Sequence, residues 1–343
     1  MKFLLNTWYM AAWADELIPD ALLGRTIAGK SLVLFRDTLG KLQAIDDRCP
    51  HRFAPLHTGK LVGDSVQCPY HGLHFDGTGK CTHNPHSEKI PKAACVRSYK
   101  AVEKHTVLWV WLGEQELADE ANIPDLSFFE EAPIHAKGKG YLPTEANYEL
   151  LSDNIMDLSH VDYLHPTTLG GGALSSTQAE VEELSGNRVH ISWNAPSDVA
   201  PPAFAPYLSN PEDSDVWAEV VWNPPGLMFL NSGAAPAGRP REEGPFTRNL
   251  HIMTPQDDKS THYFFANTRL FEQDNEQLNA FIQPMLLNVF ANEDKPMVEA
   301  QQVQLGDAEL LSLNPVLLTV DAGAIRCRRI LKRLIDEEHA PKA

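Results

Sequence analysis

Two short segments near the N-terminus each combine a cysteine with a histidine, and they restrict the possible folds more than any other feature. They are Cys49-Pro50-His51 and, after sixteen further residues, Cys68-Pro69-Tyr70-His71. Each segment lies between stretches with strand character, so each is predicted to form a loop between strands. If all four side chains bind one metal centre, the fold must place the two loops side by side.

The mixture of ligand types within each loop indicates which centre this is. One thiolate and one imidazole per loop fit a [2Fe–2S] cluster with two cysteines on one iron and two histidines on the other. A structural zinc also takes two cysteines and two histidines, but zinc fingers usually place the cysteines in one motif and the histidines in another. The spacing therefore favours an iron–sulfur cluster over zinc.

The composition limits the partners and the location of the protein. The 343 residues include 29 Lys and Arg against 46 Asp and Glu, a net charge of −17, which argues against nucleic acid or an anionic membrane as the main partner. The N-terminus lacks a basic leader with a long apolar core, and no apolar run reaches the length of a membrane span. We therefore expect a cytoplasmic protein without a disulfide framework, in which Cys81 and Cys95 are buried small side chains.

Strand patterns dominate the first third of the chain. Short β-branched or aromatic runs at residues 31–35 and 106–112 predict buried strands, separated by turns that contain Gly and Asp. An acidic and then Pro- and Gly-containing stretch over residues 114–140 marks a boundary near residue 130. The patterns predict an all-β domain over residues 1–130 and a second domain over residues 131–343.

The second domain is predicted to combine helices with a sheet. Periodic apolar residues predict helices over residues 148–165 and 275–294, with Pro284 bending the second helix. Strand-like runs between residues 189 and 266 predict one substantial sheet. Asp321 is placed to cap a last helix that ends near residue 338. The whole chain is therefore predicted to have an α+β fold.

The segment from Asn154 to Pro166 contains two histidines five residues apart. Asn154, Asp157 and His160 advance by three each, which predicts that they lie along one side of a helix. Pro166 disfavours helical geometry at His165, so the helix should loosen or end there. Two neutral imidazoles and one distant carboxylate can hold a divalent iron and leave positions open for dioxygen. The alternative is that the two histidines are unrelated polar residues on a surface helix. That alternative does not account for the presence of the Cys/His loops in the same chain.

Together, the loops and this helix resemble the motifs of the Rieske non-heme iron oxygenases. Cys49-x-His51 and Cys68-x-x-His71 match the Rieske motif, and the segment from Asp153 to His165 matches the second motif of the family. The resemblance covers nearly the whole chain and is greatest to the vanillate O-demethylase type of oxygenase component, with the dicamba O-demethylase type also similar. It implies an N-terminal Rieske domain followed by a helix-grip catalytic domain with an antiparallel sheet and helices.

The resemblance implies two iron centres. It assigns four ligands to the [2Fe–2S] cluster, namely Cys49, His51, Cys68 and His71. It assigns three ligands to a mononuclear Fe(II), namely His160, His165 and Asp294. Glu293 lies next to Asp294, and the sequence alone barely separates these two carboxylates.

A route for electrons is also implied by the resemblance. Asp157 is expected to accept a hydrogen bond from His160 and another from His71 of a neighbouring subunit in a homotrimer. Asn154 belongs to the same motif and is a second candidate catalytic residue. The sequence has no Gly-rich dinucleotide motif placed between a strand and a helix. Electrons from NADH are therefore expected through a separate reductase of the flavin and ferredoxin type.

The implied reaction consumes one O2 and two electrons. It hydroxylates the methoxy carbon of a methoxylated aromatic acid, such as vanillate, and yields a phenol and formaldehyde. His251 and Asn231 are candidates for substrate contact, although Leu230 could take the place of Asn231 and His251 could be an ordinary strand histidine.

Two other classes of function share part of this evidence. Rieske oxygenases that carry out ring dihydroxylation, methyl hydroxylation or N-demethylation have both iron motifs. A Rieske electron carrier with an added binding domain would have only the Cys/His loops, and the iron helix argues against it.

A basic run on the last predicted helix has two interpretations. Its members are Arg326, Arg328, Arg329, Lys332 and Arg333. A solvated face or intersubunit salt bridges are the commoner use of such a run. A docking patch for an acidic electron donor is the alternative.

Overall fold

The computed structural model describes residues 3–340. The chain divides into two compact units. The first comprises the residues up to Glu130 together with Thr254–Asp257, and the second comprises Glu131–Met253 and the residues from Asp258 onward. Among residues 3–340, no helix is both long enough and apolar enough to cross a membrane.

Strands are the main regular elements of the first unit. They are β1 (Trp8–Trp13), β2 (Leu23–Ile27), β3 (Lys30–Arg36), β4 (Leu42–Asp46), β5 (Lys60–Val62), β6 (Ser65–Gln67), β7 (His74–Asp76), β8 (Cys81–His83), β9 (Ser98–Tyr99), β10 (Ala101–Lys104) and β11 (Val107–Trp111). They form antiparallel sheets in the orders β1-β11-β10, β2-β3-β4-β9 and β5-β6-β7-β8. A single helical turn, α1 (Ser127–Glu130), follows. The predicted β character of this half is confirmed.

Both cysteines of the paired loops belong to the hydrophobic core of this unit. Cys49 and Cys68 pack in one cluster with Val33, Phe35 and Val66, all of them buried. Since β3 supplies two of these apolar residues, the same burial that forms the sheet also holds the bases of the two loops.

The second unit contains one large sheet and the longer helices. Its strands are β12 (Lys137–Thr144), β13 (Glu180–Leu184), β14 (Arg188–Asp198), β15 (Ser214–Asn223), β16 (Leu227–Pro236), β17 (Phe246–Pro255) and β18 (Thr261–Arg269). They are ordered β12-β18-β17-β16-β15-β14-β13. Its helices are α2 (Tyr148–Met156), α3 (Val161–Leu164), α4 (Glu276–Val289), α5 (Lys295–Leu305) and α6 (Ala322–Glu338). The predicted α+β class is confirmed.

The predicted single helix over residues 148–165 is wrong, because the chain leaves helical geometry at Asp157. That residue is extended, with φ −134° and ψ 95°, and its carboxylate accepts a hydrogen bond from the Ser159 N–H at 2.9 Å. Short acidic side chains offer such local bonds in competition with a helix. Asp157 therefore ends α2, and a 3-10 turn, Leu158–His160, leads into α3. Helix α3 ends just before His165, as Pro166 predicts.

The predicted helix end near Asp294 is also wrong. Helix α4 runs through Pro284 and continues as a π-helical turn, Phe290–Asp294, that leads directly into α5. Pro296 lies in the first turn of α5, where its fixed φ is compatible with helical geometry. Asp321 does precede α6, but its carboxylate accepts from the Leu318 N–H at 2.5 Å rather than capping α6.

Candidate metal centres and substrate cavity

The two Cys/His loops have the same backbone hydrogen bonds. The N–H of Cys49 donates to the carbonyl five residues later at 2.9 Å, and that of Cys68 does the same at 2.8 Å. Each cysteine carbonyl accepts from the residue four positions on, which is Phe53 in one loop and Gly72 in the other. Both of these residues have positive φ, at 60° and 72°. The loops are therefore two copies of one tight turn.

These turns present two thiols and two imidazoles. The rings of His51 and His71 lie with centroids 4.4 Å apart, and Cys49 and Cys68 are 1% and 2% exposed. Burial, aided by the neighbouring Cys68 thiol, raises the pKa of Cys49 to about 11. Buried thiols in contact become thiolates when they bind a metal, since the bound metal deprotonates them. The donor set fits a [2Fe–2S] cluster with mixed ligands.

The second centre is a compact triad of two histidines and one carboxylate. His160, His165 and Asp294 each offer a ligand atom, and these atoms lie within 4.8 Å of one another. Asp294 Oδ1 is 3.1 Å from His165 Nε2 and 3.5 Å from His160 Nε2. A 3-10 turn, the residue after α3 and a π-helical turn supply the three residues. Two histidines and a carboxylate with open positions are typical of non-heme Fe(II).

Each residue of the triad is oriented by a different partner. His160 Nδ1 lies 2.5 Å from the main-chain oxygen of Asp157, and His165 Nδ1 lies 2.7 Å from Glu293 Oε2. The amide of Asn154 donates to Asp294 Oδ1 at 3.2 Å. The resemblance had implied the carboxylate of Asp157 as the partner of His160. Within this chain the carbonyl takes that place, because the carboxylate caps the following turn.

The charges within the triad stabilise one another. Burial acts to raise the pKa of Asp294, but hydrogen bonds from His160 and His165 hold that pKa well below its usual range. Burial acts to lower the pKa of His165, yet Asp294 and Glu293 raise it overall. A divalent cation replaces such shared protons when it binds, since its ligands must be deprotonated.

A cavity of about 380 Å³ begins at the triad and extends under the large sheet. Phe204, Phe271, Phe281 and Phe290 contribute aromatic surface to its walls. This volume and apolar lining are typical of a small-molecule site.

His251 lies in this cavity, as its predicted role requires. It is 3% exposed, and its Nδ1 is 2.7 Å from the Tyr263 hydroxyl. Burial lowers the pKa of His251 to about 4, so the ring is neutral at physiological pH. Thr247 and Asn249, on the same face of β17, also line the cavity. Neither is among the predicted site residues, although the alternation of a strand places residues two and four positions from His251 on its face.

Asn231 is placed outside the cavity. Its amide donates to Glu219 Oε1 at 3.0 Å, whereas its neighbours Leu230 and Ser232 both line the cavity. Successive side chains of a strand face opposite sides of the sheet, so Asn231 faces away from the substrate site. Its predicted place in the substrate site is wrong, and Leu230 lines the cavity instead.

The basic run on α6 is engaged in ion pairs. Arg328 is buried and contacts Asp153 at 2.6 Å and Glu149 at 3.0 Å. Lys332 and Arg333 pair with acidic residues four positions later on the same helix, at 3.0 and 3.1 Å. Three of the five basic residues thus pair with acidic side chains of their own chain, and Arg328 does so in a buried position.

The three cysteines outside the loops differ in exposure, and Cys327 is buried. Cys81 is half-buried, and burial raises the pKa of its thiol. Cys95 is exposed, so its predicted burial is wrong. Cys95 pairs with Lys80 only through an isolated β-bridge, which leaves its side chain outside the core.

Known proteins match this chain in both units. Residues 7–100 match the Rieske [2Fe-2S] domain, and residues 144–337 match the vanillate O-demethylase oxygenase C-terminal domain. The chloroacetanilide N-alkylformylase oxygenase component of Rhizorhabdus wittichii is 37% identical over 99% of this chain and 98% of its own. The dicamba O-demethylase oxygenase component of Stenotrophomonas maltophilia is 36% identical over 99% of this chain and 100% of its own.

A solved structure matches the fold as well. The crystal structure of dicamba monooxygenase bound to 3,6-dichlorosalicylic acid superposes with a TM-score of 0.89 at 35% identity, covering 99% of this chain and 100% of the other. Residues 7–100 contain both Cys/His loops, and residues 144–337 contain the whole triad. A [2Fe–2S] cluster and a mononuclear iron are thus the cofactors of the chain. The chain belongs to the Rieske non-heme iron oxygenases, as a monooxygenase with a catalytic domain of the vanillate O-demethylase type.

Proposed function

We propose that this chain is the oxygenase component of an aromatic O-demethylase whose substrate is a methoxylated aromatic acid. One O2, two electrons and two protons hydroxylate the methoxy carbon, so that one oxygen atom enters a hemiacetal and the other leaves as water; the hemiacetal then breaks down to a phenol and formaldehyde. The observation that carries the proposal is the triad of two histidines and a carboxylate at one end of a cavity with aromatic walls. When bound, the iron supplies the activation of dioxygen.

The residues of the chain have separate roles in this proposal. Residues 1–130 would hold the cluster through Cys49, His51, Cys68 and His71. Residues 131–343 would hold Fe(II) through His160, His165 and Asp294. Aromatic side chains would hold the substrate ring so that its methoxy carbon faces the triad, since orientation at the reacting centre provides much of the rate. Neutral His251 would donate or accept a hydrogen bond at the ring substituents.

Electrons must come from outside the chain in this proposal. The relatives are named as oxygenase components, which implies a partner that supplies electrons. We propose a flavin and ferredoxin-type reductase that oxidises NADH, and a cytoplasmic location where NADH is available.

A surface groove supports assembly of the chain with its own copies. The groove has a volume of about 690 Å³, and Asp157 and His160 lie in its lining beside Met297 and Val316. Val316 is 87% exposed and Met297 50% exposed. Exposed apolar surface of this kind marks an interaction site. We propose that the Rieske domain of a neighbouring subunit covers this groove in a homotrimer and brings its His71 to Asp157.

Product analysis tests the proposed reaction. The purified chain, with reductase, NADH and O2, is supplied with a panel of methoxybenzoic acids. We expect formaldehyde and the corresponding phenol in equal amounts, with none in the absence of O2. A ring diol that keeps the methoxy group as the main product would contradict demethylation and support ring dihydroxylation.

N-dealkylation is the second candidate function. The chloroacetanilide N-alkylformylase relative is named for chemistry at an N-alkyl group and is 37% identical. Oxidation of a carbon next to nitrogen or oxygen requires the same placement of that carbon at the triad. Including an N-alkyl anilide in the substrate panel separates the two functions, because the preferred substrate releases its aldehyde faster.

Replacing Asp157 with asparagine is expected to reduce turnover about 100-fold while both iron centres remain bound. Asn can still accept from the Ser159 N–H, and the main-chain oxygen that holds His160 is unchanged. Only the negative charge proposed to bind His71 of the neighbouring subunit is lost. Single-turnover transfer of electrons from the reduced cluster to the iron site is the measurement. Asp336→Asn, at an exposed carboxylate on α6, is the matched control, and normal transfer in Asp157→Asn would refute the bridge.

A further inference from the structure

Glu293 and Asp294 are neighbours in sequence, yet they face the two nitrogens of one imidazole. Glu293 Oε2 lies 2.7 Å from His165 Nδ1, and Asp294 Oδ1 lies 3.1 Å from His165 Nε2. The His165 side chain is only 1% exposed. Since water does not reach the ring to a useful extent, these two carboxylates decide which nitrogen carries the proton.

A local change in helix geometry accompanies this arrangement. In an α-helix of 3.6 residues per turn, adjacent side chains point about 100° apart. Residues Phe290–Asp294 form a π-helical turn between α4 and α5. Such wider turns within helices are frequent at functional sites. Here the turn ends on the two carboxylates that contact His165, so it serves to direct both of them toward one ring.

The position of the single N–H of neutral His165 defines the role of Glu293. A neutral imidazole has one N–H, and the nitrogen that faces the triad must offer its lone pair to a metal. The proton must therefore lie on Nδ1, where Glu293 accepts it. The Thr168 hydroxyl donates to the same Glu293 oxygen at 3.0 Å and fixes the carboxylate in place.

His160 and His165 differ in the partner that their Nδ1 atoms contact. The partner of His160 is a neutral main-chain oxygen at 2.5 Å, whereas the partner of His165 is a carboxylate. A negatively charged partner on the far nitrogen raises the basicity of a ligating imidazole and fixes its ring. The structure thus makes the two imidazoles unequal electron donors.

We propose that Glu293 is a positioning residue that fixes His165 as an Nε2 ligand of the iron and makes it the stronger imidazole donor. This inference rests on the proposed function, because it takes His160, His165 and Asp294 as the ligands. Glu293 itself would not be a metal ligand, since its carboxylate contacts the Nδ1 of His165. The sequence left open whether Glu293 or Asp294 is the ligand, and this arrangement gives the two residues complementary roles.

Two substitutions separate the charge of Glu293 from its hydrogen bond. Glu293→Gln keeps an acceptor for the Nδ1–H but removes the charge, and Glu293→Ala removes both. Glu276→Gln, at an exposed glutamate in the first turn of α4, is the matched control. The measurements on the holoprotein are the Fe(II) dissociation constant by chelator competition and the electron paramagnetic resonance spectrum of the ferrous nitrosyl adduct.

We expect the Fe(II) dissociation constant to rise about 10- to 100-fold in Glu293→Ala and by a smaller factor in Glu293→Gln. The nitrosyl spectrum should change in both variants, while the spectrum of the reduced [2Fe–2S] cluster and all properties of Glu276→Gln remain those of the wild type. If Glu293→Ala fails to fold, the nitrosyl spectrum of Glu293→Gln decides the question.

Wild-type affinity together with a wild-type nitrosyl spectrum in Glu293→Gln and Glu293→Ala would overturn the role of Glu293. A wild-type protein that binds no Fe(II) beyond its cluster would instead overturn the ligand assignment on which the inference rests. The two failures are distinguished because only the second appears in the unmodified chain.

Discussion

Replacing His165 with alanine is expected to remove the mononuclear iron, leave the [2Fe–2S] cluster in place and abolish oxygenation. Among the triad, His165 is the most deeply buried, and both of its nitrogens are engaged by carboxylates. Its loss leaves one histidine and one carboxylate, which do not suffice for a site of two histidines and a carboxylate. Iron analysis should show loss of the single iron only, and the visible absorption of the cluster should persist.

The control for this substitution is His190→Ala. His190 lies on β14 and is 3.7 Å from Glu219, away from the triad. It should keep the full iron content and turnover. Retention of all the iron in His165→Ala, or loss of the cluster along with the single iron, would contradict the assignment of ligands to two independent centres.

Replacing Arg328 with alanine is expected to lower the free energy of unfolding by about 3–5 kcal/mol. The guanidinium donates to Asp153 at 2.6 Å and to Glu149 at 3.0 Å, and its side chain is 6% exposed. Removing it leaves two largely buried carboxylates without their cation, which costs much more than losing a surface pair. Because Asp153 and Glu149 belong to α2, which also carries Asn154 at the triad, the loss should also loosen that helix.

Arg329→Ala is the control for this prediction, since Arg329 is an exposed neighbour on the same helix and should change stability little. Urea unfolding is the measurement. If Arg328→Ala and Arg329→Ala lower the free energy of unfolding equally, the buried ion pairs of Arg328 make no special contribution to stability.

The loss of unfolding free energy caused by Arg328→Ala should also depend on pH. Burial raises the pKa of Glu149 to about 7 despite the opposing effect of Arg328. A group whose pKa is raised in the folded state contributes stability below its unfolded pKa, and this contribution is lost as pH rises through the folded pKa. Without Arg328 that folded pKa moves higher still. The difference between Arg328→Ala and the wild type should therefore be larger at pH 8.5 than at pH 6.

Local features account for what could be predicted well. The cysteine and histidine of each loop lie within four residues, so chain geometry alone holds them together. Likewise, strands β3 and β11 follow from short apolar runs whose burial does not depend on their partners. A helix end caused by a side chain that bonds to the local backbone is harder to predict. The side chain of Asp157 interrupts a periodicity that otherwise predicts a continuous helix from residue 148.

The sequence by itself determined the Cys/His loops, the two histidines of the triad and the family of the chain, because these follow from motifs with spacings of a few residues. Only the tertiary structure decided that Glu293 holds the far nitrogen of His165, in a contact that joins residues 128 positions apart. It also decided that Leu230, and not Asn231, faces the cavity, since the side of a strand that is buried depends on what packs against the sheet. Contacts of this range arise from packing, which no local spacing encodes.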